Sequence, residues 1–152
     1  YTTLFRSEII TTDDTCPTLT YNLINRHQSG LVRTRIASNK SPWLMHNNVG
    51  DIHTIAISHG EGRFVASEEL VKKMAENGQI ATQYVDLNGN PTQDYRFNPN
   101  GSVDAIEGIT SPDGRVFGKM GHSERYTGSL YLNVDGNKDQ KMFAGAVDYF
   151  RD

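Results

Sequence analysis

Ile106-Glu107-Gly108-Ile109-Thr110-Ser111-Pro112-Asp113-Gly114-Arg115-Val116-Phe117-Gly118-Lys119-Met120-Gly121-His122-Ser123-Glu124-Arg125 sets two segments around a turn sequence and ends in a polar loop. Pro112 presets φ for a type I turn and Gly114 tolerates positive φ, so the flanking segments 106–110 and 115–120 are predicted to form a hairpin. The second strand runs straight into Gly121-His122-Ser123-Glu124-Arg125. A histidine and a carboxylate two positions apart in an extended segment point the same way. Such a carboxylate can orient an imidazole and stabilise its charge while it serves a nucleophile as acid/base partner. A polar loop after a strand also arises with no chemistry attached. Taken alone, the spacing leaves both readings open.

Outward from this hairpin, the chain alternates short strands with few helices. Residues 31–36 are β-branched enough for a strand, stopped at Asn39-Lys40-Ser41-Pro42. Residues 52–58 set Ile52, Thr54 and Ala56 against His53, Ile55 and Ile57, predicting a strand covered in part on both faces. Ser67 as N-cap, Glu68 and Glu69 in the first turn, the spacing of Leu70, Val71, Met74 and Ala75, and Gly78 as terminator predict a helix. Residues 79–85 read as a strand before a tight turn at Asn88-Gly89, and Asn98-Pro99-Asn100-Gly101 reads as a loop. Met142, Phe143, Ala146, Val147 and Phe150 predict a C-terminal helix from about Lys138 onward. These strands are short or alternating, whereas the parallel centre of an α/β sheet is almost continuously apolar. That buried half is expected upstream of Tyr1.

The 152 residues fit one domain. A net charge of -3 gives no field suited to phosphate backbones, so nucleic acid is not expected as a partner. Hydrophobic residues make up 36%, low for a globular domain, which predicts a thin core. There is no apolar run long enough for a membrane span or signal peptide, and the lone Cys16 cannot form an internal disulfide. A cytoplasmic location is expected. The chain starts at Tyr1 rather than Met, and it is expected to be a piece of a longer protein.

A second chemical cluster is Ser58-His59-Gly60-Glu61-Gly62-Arg63. Two glycines around a glutamate let the backbone approach a ligand and aim amides at an anion such as a carboxylate. The same glycines would also serve a turn that needs positive φ, and Glu61 and Arg63 would also make a surface ion pair. His53, His59 and His122 with Glu61 or Glu124 make a poor metal set, since no His-Glu-x-x-His or Cys pair accompanies them. Cys16 lies in Asp13-Asp14-Thr15-Cys16-Pro17, where carboxylates raise a thiol pKa and proline forbids an adjoining helix start. An activated nucleophile requires the opposite surroundings, a glycine-flanked elbow and a helix N-terminus. Arg33 and Arg35 share a strand face near Arg26-His27 and would attract a phosphate or an acidic neighbour, or form a solvated face.

Several segments occur in one order: Pro17-Thr18-Leu19-Thr20-Tyr21-Asn22, Asn25-Arg26-His27, Ser38-Asn39-Lys40-Ser41-Pro42-Trp43, Ile57-Ser58-His59-Gly60-Glu61-Gly62-Arg63-Phe64, Asn98-Pro99-Asn100-Gly101-Ser102, Ile106-Glu107-Gly108-Ile109 and Gly118-Lys119-Met120-Gly121-His122-Ser123-Glu124-Arg125. From about Thr12 to Phe150 the chain resembles the class I glutamine amidotransferase (glutaminase) domain of formylglycinamidine ribonucleotide synthases. That family usually carries Pro-His-Pro-Glu-Arg where Gly121 to Arg125 stand here, so the resemblance implies a loosened loop that keeps both functional side chains.

The resemblance implies an α/β, flavodoxin-like class I glutamine amidotransferase fold. Residues 1–152 are then a single partial glutaminase domain, its C-terminal portion, with mixed or antiparallel strands and peripheral helices. His122 and Glu124 are implied as catalytic residues, and His59, Gly60 and Glu61 as the loop that holds glutamine. The family's nucleophile, in a motif resembling Gly-x-Cys-Asn-Gly, is expected upstream of Tyr1. The residues here are expected to be inactive alone and to hold no metal or cofactor, with Mg and ATP belonging to a separate synthase domain that receives the ammonia. A non-catalytic amidotransferase-like binding module is the alternative. Loss of the upstream strands is further expected to leave unpaired sheet edge and apolar surface, which favours a homodimer.

Overall fold

In the computed structural model, which describes residues 16–151, the turn at 111–114 forms as its residues dictate. Gly114 adopts φ 77° and its N–H donates to the Ser111 carbonyl at 2.9 Å. The hairpin it closes is the end of a larger sheet. In chain order the elements are β1 (Thr18–Thr20), β2 (Gln28–Ile36), β3 (Ile52–His59), β4 (Arg63–Val65), α1 (Glu68–Glu76), β5 (Ile80–Tyr84), β6 (Ile106–Thr110), β7 (Phe117–Lys119) and α2 (Met142–Phe150). Single 3₁₀ turns lie at Pro42–Leu44, Val103–Ala105 and Ser123–Arg125. Five strands pair in the order β3-β2-β5-β6-β7, antiparallel throughout, and β1 pairs with β4 in a separate two-stranded ribbon. Asp13 and Asp14, read above as neighbours of Cys16, lie outside the described residues.

Alternation along β2 buries Val32, Thr34 and Ile36 and turns Arg33 and Arg35 to the opposite side. Both arginines hydrogen-bond within the chain. Arg35 donates twice to Gln83 Oε1, at 3.2 and 2.9 Å, and Arg33 donates to the Leu87 carbonyl at 2.8 Å. β3 buries Ile55, Ala56 and Ile57 in succession, so both of its faces are covered as expected. At its outer edge the Thr54 N–H donates to the Asn137 carbonyl at 2.7 Å.

Ser67 Oγ accepts from the Leu70 N–H at 3.2 Å, which starts α1 with acidic residues in its first turn, and Gly78 at φ 69° ends the segment. Met74 enters a core cluster with Phe64, Ile80, Ile106 and Ile109. Val32, Ile57, Tyr84 and Ala105 form a second cluster, and Ile36, Leu44, Ala81 and Met142 a third.

α2 begins at Met142 rather than near Lys138. The Asn137 side chain accepts from the Asp139 N–H at 3.0 Å and the Asp139 side chain from the Lys141 N–H at 2.9 Å. These local bonds compete with helix hydrogen bonding, and Lys141 sits at φ 51°, so the helix starts only past it. Of the apolar stripe, Met142 and Ala146 face the core, while Phe143, Val147 and Phe150 remain about half exposed. Gly145 lets the helix approach the Pro42–Leu44 turn: a Cβ there would lie 2.9 Å from the Pro42 carbonyl oxygen.

Candidate active site

β7 delivers Gly121 to Arg125 to the flank of β3, where the His122 N–H donates to the Ala56 carbonyl at 2.8 Å. The chain then makes the 3₁₀ turn Ser123–Arg125, with the Arg125 N–H bonded to the His122 carbonyl at 3.2 Å. This corrects the extended geometry expected from the spacing. The turn, rather than strand alternation, brings the two side chains together, with His122 Nδ1 at 2.6 Å from Glu124 Oε1. Burial raises the Glu124 carboxyl, but the His122 and backbone hydrogen bonds with the nearby positive charge of Arg125 outweigh it and hold it below its ordinary range. An ionised carboxylate only accepts, so Nδ1–H donates, and in the neutral ring that leaves the lone pair on Nε2. His122 and Glu124 line a cleft of about 300 Å³ together with Phe117, Lys119, Met120 and Phe143.

The second loop is built around a residue whose role the sequence did not announce. Asn22 is fully buried, and its Nδ2 donates to the Arg26 and His59 carbonyls at 3.0 and 2.8 Å. Its Oδ1 accepts from the Gly62 N–H at 3.2 Å and lies 3.1 Å from His59 Nδ1, so that ring nitrogen carries the proton. His59 Nε2 is buried without a hydrogen-bond partner among the described residues. Burial, then the neighbouring His27, lowers the His59 pKa and keeps the ring neutral. Gly60 and Gly62 do not have positive φ, which removes the turn explanation for this glycine pair. Gly62 is needed because a Cβ there would lie 2.5 Å from His59 Nδ1, whereas nothing lies within 4 Å of one at Gly60. Gly60 and Glu61 form the outward part of the loop, with Glu61 exposed.

Asn98 to Ser102 clamps this segment from behind. Asn100 Nδ2 donates to the Gly62 carbonyl at 2.6 Å and to Tyr84 Oη at 2.9 Å, while Ser102 Oγ accepts from the Phe64 N–H at 3.0 Å. The His122 N–H bond to Ala56 sets the His122 loop beside β3 three residues before His59. The two loops predicted as functional therefore share one end of the sheet.

Beneath the His122 loop lies a buried polar cluster that sequence reading missed. Glu107 Oε1 accepts from the Gly121 N–H and Oε2 from Thr82 Oγ1, each at 2.5 Å. Lys119 Nζ lies 3.7 Å from Glu107 Oε1 and donates to Gln140 Oε1 at 2.6 Å and to Ser123 Oγ at 3.1 Å. Ser123 Oγ also lies 2.5 Å from Gln140 Oε1. Burial lowers the Lys119 pKa, against the carboxylates of Glu107 and Glu124. Nothing in the local sequence around positions 107 and 119 marks these charges as buried.

His53 is buried in β3 and belongs to the core, its pKa lowered by burial. Among the described residues no three His, Cys, Asp or Glu side chains converge as a metal site. Cys16 is half buried ahead of β1 and does not line the His122 cleft. No helix among the described residues is long and apolar enough to cross a membrane.

The model of the CobB/CobQ-like glutamine amidotransferase domain matches residues 2–150. The phosphoribosylformylglycinamidine synthase subunit PurQ of Methanocaldococcus jannaschii is 36% identical over 132 residues, covering 87% of this chain and 55% of that protein. The same subunit of Aquifex aeolicus is 37% identical over 115 residues, covering 76% and 50%. The phosphoribosylformylglycinamidine synthase of Saccharomyces cerevisiae is 34% identical over 125 residues, 78% of this chain and 9% of that protein. The solved structure of PurLQS from Thermotoga maritima superposes with a TM-score of 0.64 at 24% identity, covering 88% of this chain and 53% of that one. The likeness to that structure bears on the fold. The chain spans about half the length of the curated PurQ relatives it matches.

Proposed function

The chain belongs to the family of CobB/CobQ-like glutamine amidotransferase domains, and from that premise we propose that it is the acid/base half of a glutaminase serving phosphoribosylformylglycinamidine synthase. Such an enzyme hydrolyses glutamine and passes the ammonia to an ATP-dependent synthase partner, which makes formylglycinamidine ribonucleotide in purine biosynthesis. The observation that carries the reading is the 2.6 Å contact between His122 Nδ1 and Glu124 Oε1 at the wall of an open cleft.

In this reading a cysteine thiol outside these 152 residues gives its proton to His122 Nε2 and attacks the glutamine carboxamide carbon. His122 then returns the proton to the departing ammonia, leaving a thioester. Water, deprotonated by the same nitrogen, releases glutamate. Glu124 holds the ring in the productive tautomer and offsets the imidazolium charge. The outward backbone of Gly60 and Glu61 receives the substrate's α-carboxylate, and the His59 ring fixes that backbone rather than touching glutamine. Mg and ATP act in the synthase partner. The whole assembly works in the cytoplasm, and the residues described here pair as a homodimer through exposed apolar surface.

Ammonia release from glutamine tests this. The 152-residue chain alone releases none, and Cys16→Ala changes nothing; release abolished by Cys16→Ala makes Cys16 the nucleophile and sinks the reading. In a protein joining this chain to the cysteine-bearing segment, His122→Ala lowers kcat by roughly 10⁴-fold or more, the scale of losing a triad member. Full activity in that variant would equally refute it.

A further inference from the structure

The two positions at which this loop departs from the Pro-His-Pro-Glu-Arg pattern are the two that reach the buried polar cluster. The Gly121 N–H donates to Glu107 Oε1, a bond that proline cannot make because it has no N–H. Ser123 Oγ sits between Lys119 Nζ and Gln140 Oε1, a position that a pyrrolidine ring cannot fill with a hydrogen bond. Between them the His122 N–H is held separately by Ala56. The space at Gly121 is closed as well, since a Cβ there would lie 2.6 Å from Ile55 Cγ2 and 2.8 Å from Glu107 Oε1.

We propose that Glu107, Lys119 and Gln140 are positioning residues for the His122–Glu124 pair, fixing the loop on both sides of His122 through Gly121 and Ser123. Three features support this. Glu107 and Gln140 are 2% exposed, and the Lys119 side chain 8%, so their geometry is set by the surrounding core rather than by solvent. Both Glu107 oxygens accept a short hydrogen bond, from Thr82 on β5 and from the loop, which couples the loop to the middle of the sheet. Lys119 ties the two halves together, facing Glu107 on one side and Gln140 with Ser123 on the other. Fixed dihedrals in a proline loop thus have a hydrogen-bonded counterpart here. The loop is anchored, which corrects the loosening inferred from Gly121 and Ser123 alone.

The inference rests on reading His122 as the acid/base residue, but its test reads the ring and not turnover. Nitrogen-15 NMR of histidine-labelled chain at pH about 8, where free imidazole is neutral, gives the ratio of Nδ1–H to Nε2–H tautomers at His122. Glu107→Leu should lower that ratio about tenfold, the scale of one charge-assisted hydrogen bond weakened by misplacement. Glu107→Gln, whose amide oxygen still accepts from Gly121, should keep it within about twofold. Ser123→Ala, on a partly exposed loop, should lower it several-fold without unfolding the chain, so it decides the matter if Glu107→Leu does not fold. An unchanged ratio in Ser123→Ala, or equal effects of Leu and Gln at 107, overturns the proposal. If the ratios move as stated while His122→Ala leaves glutamine turnover intact, the glutaminase reading fails and the positioning network stands.

Discussion

Gly62→Ala and Gly60→Ala, two residues apart in one motif, should behave as opposites. An alanine Cβ at 62 would lie 2.5, 2.7 and 2.8 Å from Nδ1, Cε1 and Cγ of His59. Because Cγ is among them, the ring cannot simply swing its tip away, and the whole imidazole must leave. Overpacking of this kind costs about 1–3 kcal/mol. Departure of the ring also breaks its Nδ1–H bond to Asn22 Oδ1, adding about 1 kcal/mol. The sum, about 2–4 kcal/mol, lowers the melting temperature of a domain this size by roughly 5–15 °C. Gly60 has open space around it and no positive φ, so Gly60→Ala should stay within about 0.5 kcal/mol of wild type. Urea and thermal unfolding followed by circular dichroism measure both. Equal losses for the two variants, or a neutral Gly62→Ala, would refute the assignment of Gly62 to ring packing and return both glycines to a shared role in ligand approach.

The lowered pKa values of the buried His53 and of His59 give the fold a pH dependence of definite sign. Above about pH 6.5 both states are neutral and these residues contribute nothing; below it the unfolded chain binds protons that the native state refuses. Stability therefore falls with pH from about 6.5 down to the native pKa, by up to about 1.4 kcal/mol per unit for His53, and His53→Gln should flatten the profile of melting temperature against pH. Tyr84→Phe removes the hydroxyl that accepts from Asn100 Nδ2 and should cost about 1 kcal/mol, with urea unfolding as the check. Phe143, Val147 and Phe150 are each more than half exposed on α2, so sedimentation at high concentration should show a dimer that Val147→Asp weakens; a wild-type monomer contradicts the homodimer.

Where chemistry is local, the sequence was a sufficient guide. Ser67 and Gly78 bound α1, Pro112 and Gly114 close the hairpin, and His122 and Glu124 meet as their spacing implied, although through a 3₁₀ turn. What stayed hidden depends on residues distant in sequence. β1 and β4 have three residues each, with no periodicity to read, and exist through pairing such as Leu19 with Phe64. Asn22, Asn98 and Asn100 look like ordinary loop residues and become fully buried because their loops close over one another. The burial of Glu107 and Lys119 was not legible because burial of a charge is stabilised only by partners on other strands and loops. The stripe at Met142 to Phe150 showed a helix period but not which residues of it the core would cover, a matter decided by Gly145 meeting the Pro42–Leu44 turn.

The bond from the Thr54 amide to Asn137 governs how this sheet can meet another chain. β3 is the longer of the two outer strands, eight residues, and an exposed row of that length is a template for strand addition. Thr54 Oγ1 reaches the Asp135 carbonyl at 3.1 Å, and a Cβ at Gly136 would lie 2.6 Å from that hydroxyl oxygen, so the 135–137 turn rests directly on the strand. An incoming strand must first strip this turn away. The opposite border, β7, has three residues, too short to hold a foreign strand firmly. Neither border of the described sheet offers an easy ladder for amyloid-like growth.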